Sequence, residues 1–415
     1  MKNPCGKVGF HGLSWMFFHD KMKIQGGAFV KTSGFLLPLL LFLVPLPQAA
    51  AGTPATAGAL QEAGETASTR EQGMASASAH EPRLTFWGDY RWLYGTGRME
   101  LPSVREKRKV FLATRRFRIA PTLHLGGAWH VSGMLEDMRY DKDPAGTPHA
   151  NDRHLYLSRL YAEHATAHGA KLRIGRYIFT PIEGNVFDRR VDGVRWRFGE
   201  KARGMISIFY GRTVAPRAKE RKRGVILGCE RNWSKWMGGV FYYDLRAEAP
   251  AVTAVEAREN PLALHGGIDR QRVLELFAGY RFDRHRSLAL EYLHGRARTD
   301  SDGWTACGNG AVATLRLRQP PDVEKTGDYG LWISYYHQPR ATFLYHTMDA
   351  DPHFFGRAGF CGWGARADII LVRGFALAVE GFDLKPAHPH TPLVGTRTYH
   401  GARQRVLGMS LTAYF

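Results

Sequence analysis

The chain has 415 residues, 44% hydrophobic and 12% aromatic, with 46 glycines and a formal charge of +19. That apolar share suits a folded protein and is too low for a bundle of membrane helices, each of which needs ~20 apolar residues to span. The basic balance admits nucleic acid, an acidic surface or an anion pathway as the partner, and charge alone does not choose among them.

In chain order, residues 1–51 read as a signal region. In "KTSGFLLPLLLFLVPLPQAAAG", Lys31 follows Lys21 and Lys23, Phe35–Leu46 is apolar, and Ala49, Ala50 and Ala51 offer a small-residue cleavage site. The apolar run is too short for a membrane helix, and Pro38, Pro45 and Pro47 interrupt it. A start at Met22 gives an export signal of ordinary length, with cleavage near Ala51. Residues 52–82, rich in Ala, Gly, Ser, Thr and Glu, lack the apolar residues that would offset the entropy of ordering and read as a flexible periplasmic lead segment.

From Arg83 to Phe415 the texture is alternation of period two, the signature of strands with one apolar face. In "RLTFWGDYRWLY", Leu84, Phe86, Tyr90, Trp92 and Tyr94 share one face, with Thr85, Asp89 and Arg91 on the other. The end, "VLGMSLTAYF", sets Leu407, Met409, Leu411, Ala413 and Phe415 against Gly408, Ser410, Thr412 and Tyr414. Strands are predicted near 83–94, 107–120, 127–139, 153–165, 169–178, 191–199, 203–213, 223–232, 236–246, 269–282, 286–298, 310–318, 327–338, 360–372, 374–384 and 403–415. About sixteen is an even count, as an antiparallel barrel with both ends on one side requires.

The connections alternate long and short. "DKDPAGTPHAN", "AEAPAVTAVEARENPLALHGG", "PRATFLYHTMDADPHFFGRAG" and "KPAHPHTPLVGTRTYHGA" are long; "EKA", "SK", "DRH" and "RG" are short. A soluble sandwich has no reason to gather long loops at one end, whereas an outer-membrane barrel does. In lipid every backbone polar group needs an internal partner, so such strands must close on themselves. The expected fold is therefore an all-β, closed antiparallel transmembrane barrel with short periplasmic turns and long extracellular loops.

The stretch "KLRIGRYIFTPIEGNVFDRRVDGVRWRFGEKARGMISIFYGR" resembles the central part of Gram-negative outer-membrane porins, and "FLATRRFRIAPTLHL" resembles their Arg-rich second strand. The resemblance spans Arg83 to Phe415 and is nearest to phosphate-selective porins and the porins of diderm Firmicutes. It implies that Tyr414 and Phe415 end an assembly signal read by the outer-membrane barrel assembly machinery. It also implies an inward-folded constriction, outer-membrane lipid as surroundings and a homotrimer.

Parity gives the candidate lumen residues. Arg116, Arg118, Arg173, Arg195 and Arg197 form a basic wall, and "TPIEGNVFDRR" brings Glu183 and Asp188 on a segment short enough to fold inward. Lys171, Arg316, Arg318, Arg366, Glu136, Glu275, Glu291 and Glu380 are further lumen-facing candidates, as is Asp368. A basic wall facing an acidic segment would set up a transverse field; the bland reading is ordinary wet-face charge spread along a wide lumen. Arg115 and Arg176 break the parity of their strands.

Trp92, Trp129, Trp196, Trp363, Tyr90, Tyr94 and Tyr292 are expected at the membrane interfaces, with Trp87 inside. His388 and His390 lack a supporting carboxylate or Cys and read as loop histidines, so no metal is assigned. Cys5, Cys229, Cys307 and Cys361 match no metal spacing; a Cys307–Cys361 bridge is one reading and isolated thiols the favoured one. Glu275 and Glu291 would stay ionised in a hydrated lumen, and no nucleophile or nucleotide motif is present, so neither an enzyme nor a cofactor is expected.

The expected function is passive diffusion of small polar solutes and ions with a modest anion preference. The alternatives are a substrate-specific anion channel, a non-conducting barrel acting as scaffold or adhesin, and a soluble nucleic-acid binder. The last explains the charge but neither the export signal nor the terminal strand.

Overall fold

The computed structural model describes residues 82–142, 153–166, 169–214, 221–249, 268–300, 303–346, 348, 352–394 and 397–415. The expected signal region, 1–51, and the expected lead segment up to residue 81 lie outside them.

Sixteen antiparallel strands close into a barrel. They are β1 (Arg83–Leu101), β2 (Glu106–Gly126), β3 (Trp129–Lys142), β4 (Arg153–Ala165), β5 (Lys171–Phe179), β6 (Arg189–Phe198), β7 (Met205–Thr213) and β8 (Lys222–Trp233). The wall continues with β9 (Trp236–Ala247), β10 (Arg270–Arg281), β11 (Ser287–Arg298), β12 (Thr305–Arg318), β13 (Tyr329–Gln338), β14 (Phe360–Val372) and β15 (Phe375–Pro386). A small hairpin, β16 (Pro392–Val394) and β17 (Arg397–Thr398), precedes the last wall strand, β18 (Arg403–Tyr414). Each predicted strand has its counterpart; β1 and β2 run several residues further than their alternation suggested.

Closure falls between the first and last strands, with Asp89 opposite both Tyr414 and Arg118. The Gly88 N–H donates to the Phe415 carbonyl at 2.8 Å, and the Phe415 N–H returns the bond at 3.1 Å. The Phe415 ring lies over Gly88 and stacks on Phe117 at 6.1 Å, and a Cβ on Gly88 would collide with it. The terminal aromatic thus fills a notch in the outer wall that only glycine leaves open.

The outer wall is apolar along its middle. Trp92, Trp129, Trp196, Trp363, Tyr90, Tyr94 and Tyr292 are all exposed on it, as are Trp236, Tyr210 and Tyr335, which the sequence reading had not singled out. Trp87 turns inward, where the Arg118 guanidinium sits 5.8 Å from its ring. No disulfide joins Cys307 to Cys361, and Cys229 and Cys361 are buried thiols.

The inside departs from the expected wet lumen. At the long-loop end the inward positions are apolar: Tyr177, Phe179, Phe209, Phe241, Tyr243 and Phe360 belong to one buried cluster. Two connections return into the barrel to cover that surface. Residues 180–188 contribute Val186 and Phe187, and residues 339–346 contribute Phe343 and Leu344. The two segments are joined by backbone bonds, Leu344 N–H to Val186 O at 2.8 Å and Asp188 N–H to Tyr345 O at 2.8 Å. Parity reports which way a side chain points; it cannot report whether water or another segment waits there.

Candidate functional site

Below this double segment lies a cavity of about 740 Å³ that reaches the short turns through Lys201, Arg284 and Gln319. Ile182, Glu183, Asn185 and Met348 form its roof. Among the described residues lining it, thirteen are Lys or Arg and four are carboxylates, so the lining is strongly cationic.

The sheet register explains how these cations are grouped. Arg91 stands directly opposite Arg116 on β1 and β2. Arg173 stands opposite Arg195, and Lys171 opposite Arg197, on β5 and β6. Like charges directly opposite each other cost a sheet energy. Acids set just behind some of them offset part of that cost. Asp89, fully buried, takes Arg118 Nε at 2.7 Å and Arg116 Nη2 at 3.4 Å. Glu163 takes Arg173 Nε at 2.7 Å, with Lys171 Nζ at 3.9 Å and Arg197 Nη2 at 4.0 Å. Arg195 donates to Ser207 Oγ at 3.1 Å and lies 4.4 Å from the Phe179 ring centroid, a neutral and an aromatic partner.

Arg116, Arg118, Arg173, Arg195 and Arg197 therefore line one cavity, together with Glu183, Arg316, Arg318, Arg366, Asp368 and Glu380. Arg366 is held by Asp368 at 2.9 Å and Glu380 at 3.2 Å, and Arg318 by Asp328 of the 319–328 turn at 2.9 Å. Lys171 is on the inward face but does not line the cavity.

Several expectations need correction. Glu183 does not present a free acidic face: it is ion-paired across the barrel with Arg316, whose Nη1 lies 3.1 Å from Oε1. Asp188 does not line the cavity; it accepts from Thr180 Oγ1 at 2.6 Å within its own segment. Glu136, Glu275 and Glu291 are not hydrated lumen charges, being 1%, 0% and 3% exposed. Glu136 is clamped by Arg190 at 2.6 Å and by the Tyr156 hydroxyl. Glu275 accepts from the Tyr243 hydroxyl at 2.5 Å, and Glu291 from Asn185 Nδ2 at 2.8 Å. Glu291 anchors the inward segment through Asn185, whereas Glu136 and Glu275 tie wall strands to one another. Glu291 is covered by the returning segment, Glu275 by the Tyr243 side chain and Glu136 by those of Arg190 and Tyr156.

Sequence reasoning missed Arg159 and underused Arg91. Arg159 faces the cavity because the β3–β4 pairing shifts register between Met134 and Leu135, which puts Leu157 outside and Arg159 inside despite equal parity. Alternation cannot see such a bulge. Arg115 and Arg176 face outward, and Arg176 meets Asp192 at 2.7 Å there. His390 stacks on His400 at 5.7 Å in the loops, and His388 packs against His337 at 6.4 Å.

A closed sixteen-strand antiparallel barrel with one segment folded in after the fifth strand and a cationic interior defines a porin-type outer-membrane fold. Solved structures agree. An anion-selective porin from Comamonas acidovorans superposes with a TM-score of 0.50 at 12% identity, over 81% of this chain and 100% of that one. A loop L8 deletion mutant of OmpT, an outer membrane protein of Vibrio cholerae, gives 0.50 at 10% identity over the same shares, 81% and 100%. At such identities the likeness is one of fold. No family model and no curated protein matches the chain.

Proposed function

We propose that the chain is an outer-membrane porin, exported through its signal region, whose pathway for small hydrophilic solutes and ions prefers anions. The observation that carries this reading is the cavity lining: thirteen cationic side chains against four carboxylates among the described residues. The cross-strand pairs Arg91/Arg116 and Arg173/Arg195 are relieved most directly by an anion between them. Outer-membrane lipid, the barrel assembly machinery and sister copies in a homotrimer are the partners this reading implies, and small polar solutes or anions are its cargo. The chemistry needs no cofactor and transforms no substrate.

Zero-current potential across a planar bilayer under a KCl gradient tests the proposal. The expected sign is that of chloride permeation; the sign of potassium permeation would overturn it. Saturable block of the chloride current by phosphate would narrow the reading to a substrate-specific channel.

One observation favours a second reading, a non-conducting barrel that serves as scaffold or adhesin. The two returning segments and the wall around them share one apolar buried cluster, which leaves that half of the interior dry. Absence of current from the wild type and from a variant with the segments loosened would support this alternative.

A further inference from the structure

Given the anion-pathway reading above, on which this rests, we infer that the cavity favours organic anions carrying an apolar ring, such as aromatic carboxylates, over inorganic anions. Charge and apolar surface are divided between two sides of the barrel. In a closed ring of sixteen strands each wall strand faces the one eight places away, so β10 stands across from β2 and β13 across from β5.

The β2–β5 side of the cavity is cationic. It carries Arg116 and Arg118 on β2 and Arg173 on β5, joined by Arg195 and Arg197 of β6. Two acids serve these five arginines, Asp89 and Glu163. Arg195 meets neither: its guanidinium lies 4.4 Å from the Phe179 ring centroid, and its Nε donates to the Ser207 hydroxyl at 3.1 Å.

The facing side is built differently. Phe277 of β10 and Trp332 of β13 line the cavity there, with Met237 of β9. Trp332 stands directly opposite Arg316 on β12 and Arg366 on β14, and both of these arginines are matched by acids. Arg316 pairs with Glu183, and Arg366 with Asp368 and Glu380. The neighbour of Phe277 on β9 is Gly239, so no side chain stands beside the ring on that strand. Arg281, the last residue of β10, and Arg284 of the following turn belong to the mouth rather than to this face.

A cationic wall attracts any anion. An apolar face across from it adds a distinction, because a carboxylate drawn to Arg195 leaves its ring to be buried on Phe277 and Trp332. Burial of apolar surface contributes about 25 cal/mol per Å². An inorganic anion gains nothing from that face and loses water against it. The volume of about 740 Å³ falls in the range of roughly 300–1,000 Å³ usual for pockets that hold organic molecules.

The test titrates the chloride current through refolded full-length protein in a planar bilayer with sodium benzoate, sodium acetate and sodium phosphate. Binding of the same anions in detergent is followed by calorimetry. The wild type is compared with Trp332→Gln and Phe277→Gln, which replace apolar surface by an amide, and with Arg195→Gln. Trp363→Gln, on the exposed outer wall, is the control. The expected result is that benzoate blocks and binds at roughly tenfold lower concentration than acetate or phosphate. Trp332→Gln and Phe277→Gln should each bring benzoate to within about threefold of acetate, and Arg195→Gln should weaken both carboxylates. Acetate or phosphate acting at the same concentration as benzoate would overturn the inference. So would an undiminished benzoate preference in both Trp332→Gln and Phe277→Gln, undiminished benzoate binding in Arg195→Gln, or an equal loss in the control. Heat-modifiable migration on a gel verifies that each variant is folded. Benzoate binding without any current would uphold the solute class and contradict the channel; anion-selective current without a benzoate preference would do the reverse.

Discussion

Gln271 shows how single side chains hold the returning segments. Its Nε2 donates to the carbonyls of Arg340, Ala341 and Phe343 at 3.2, 2.9 and 2.8 Å, so one fully buried carboxamide clamps a turn of loop against β10. Gln271→Leu keeps the bulk and removes the donor, and a buried acceptor left without its bond costs about 1–3 kcal/mol. Chemical unfolding in detergent should show a loss of that size. Glu183 and Arg316 make the second clamp, with side chains only 13% and 10% exposed. Glu183→Gln strands the guanidinium in a poorly hydrated place and should destabilise by on the order of 3 kcal/mol. Pairing it with Arg316→Met should recover most of the loss; a double variant no better than the single would show that the ion pair is incidental.

At the scale of elements, the inward path of residues 339–346 depends on close approach at Gly295. A Cβ there would meet the Ala341 carbonyl oxygen at less than contact distance, so Gly295→Ala should push the segment off β11 while the wall strands persist. Faster hydrogen exchange confined to 340–346, with the sheet amides unchanged, is the expected readout. The same segment should respond to acid. His346 accepts the Met348 N–H at Nδ1 (3.1 Å), so its proton sits on Nε2, which donates to Gln338 at 3.0 Å. The ring packs on Tyr336 and Phe360, and burial pushes its pKa down to about 3. An unfolded histidine titrates near ~6.5, so the folded group takes its proton later. The contribution is therefore full above that pH and is lost as pH falls toward about 3. Protection of 340–346 should decline across this window in the wild type and stay flat in His346→Gln.

The wall strands were legible because Leu407, Met409 and Leu411 alternate with Gly408, Ser410 and Thr412, and nothing local competes with that period. The inward faces of Arg116, Arg173 and Arg195 were legible for the same reason, whereas their pairing across strands came only with the register. The dry half of the interior was not: Tyr177 and Phe179 occupy inward positions that look like any others until residues 180–188 fold over them. Glu291 looked like a lumen carboxylate until Asn185 arrived from 106 positions earlier in the chain. Long-range partners of this kind leave no periodic trace.

At the scale of the whole molecule, the barrel has two compartments. The half near the short turns holds a cationic cavity of about 740 Å³, and the half near the long loops holds an apolar roof built from two segments clamped to neighbouring strands of the β10–β13 wall. Selectivity on this account resides below the roof, in Arg91, Arg116, Arg173 and Arg195, while conductance is set by the roof. Replacing Arg195 with Gln should move the zero-current potential toward non-selectivity without changing the fold, because Arg195 faces the like charge of Arg173 across the sheet and its hydrogen bond goes to the neutral Ser207 hydroxyl.

Single-channel recording of the wild type beside Gln271→Leu and Gly295→Ala tests this division most directly. The account predicts a small anion-selective conductance that grows when either clamp on the roof is released, with the selectivity retained. No current from any of the three proteins, or a released roof that passes cations preferentially, would contradict it.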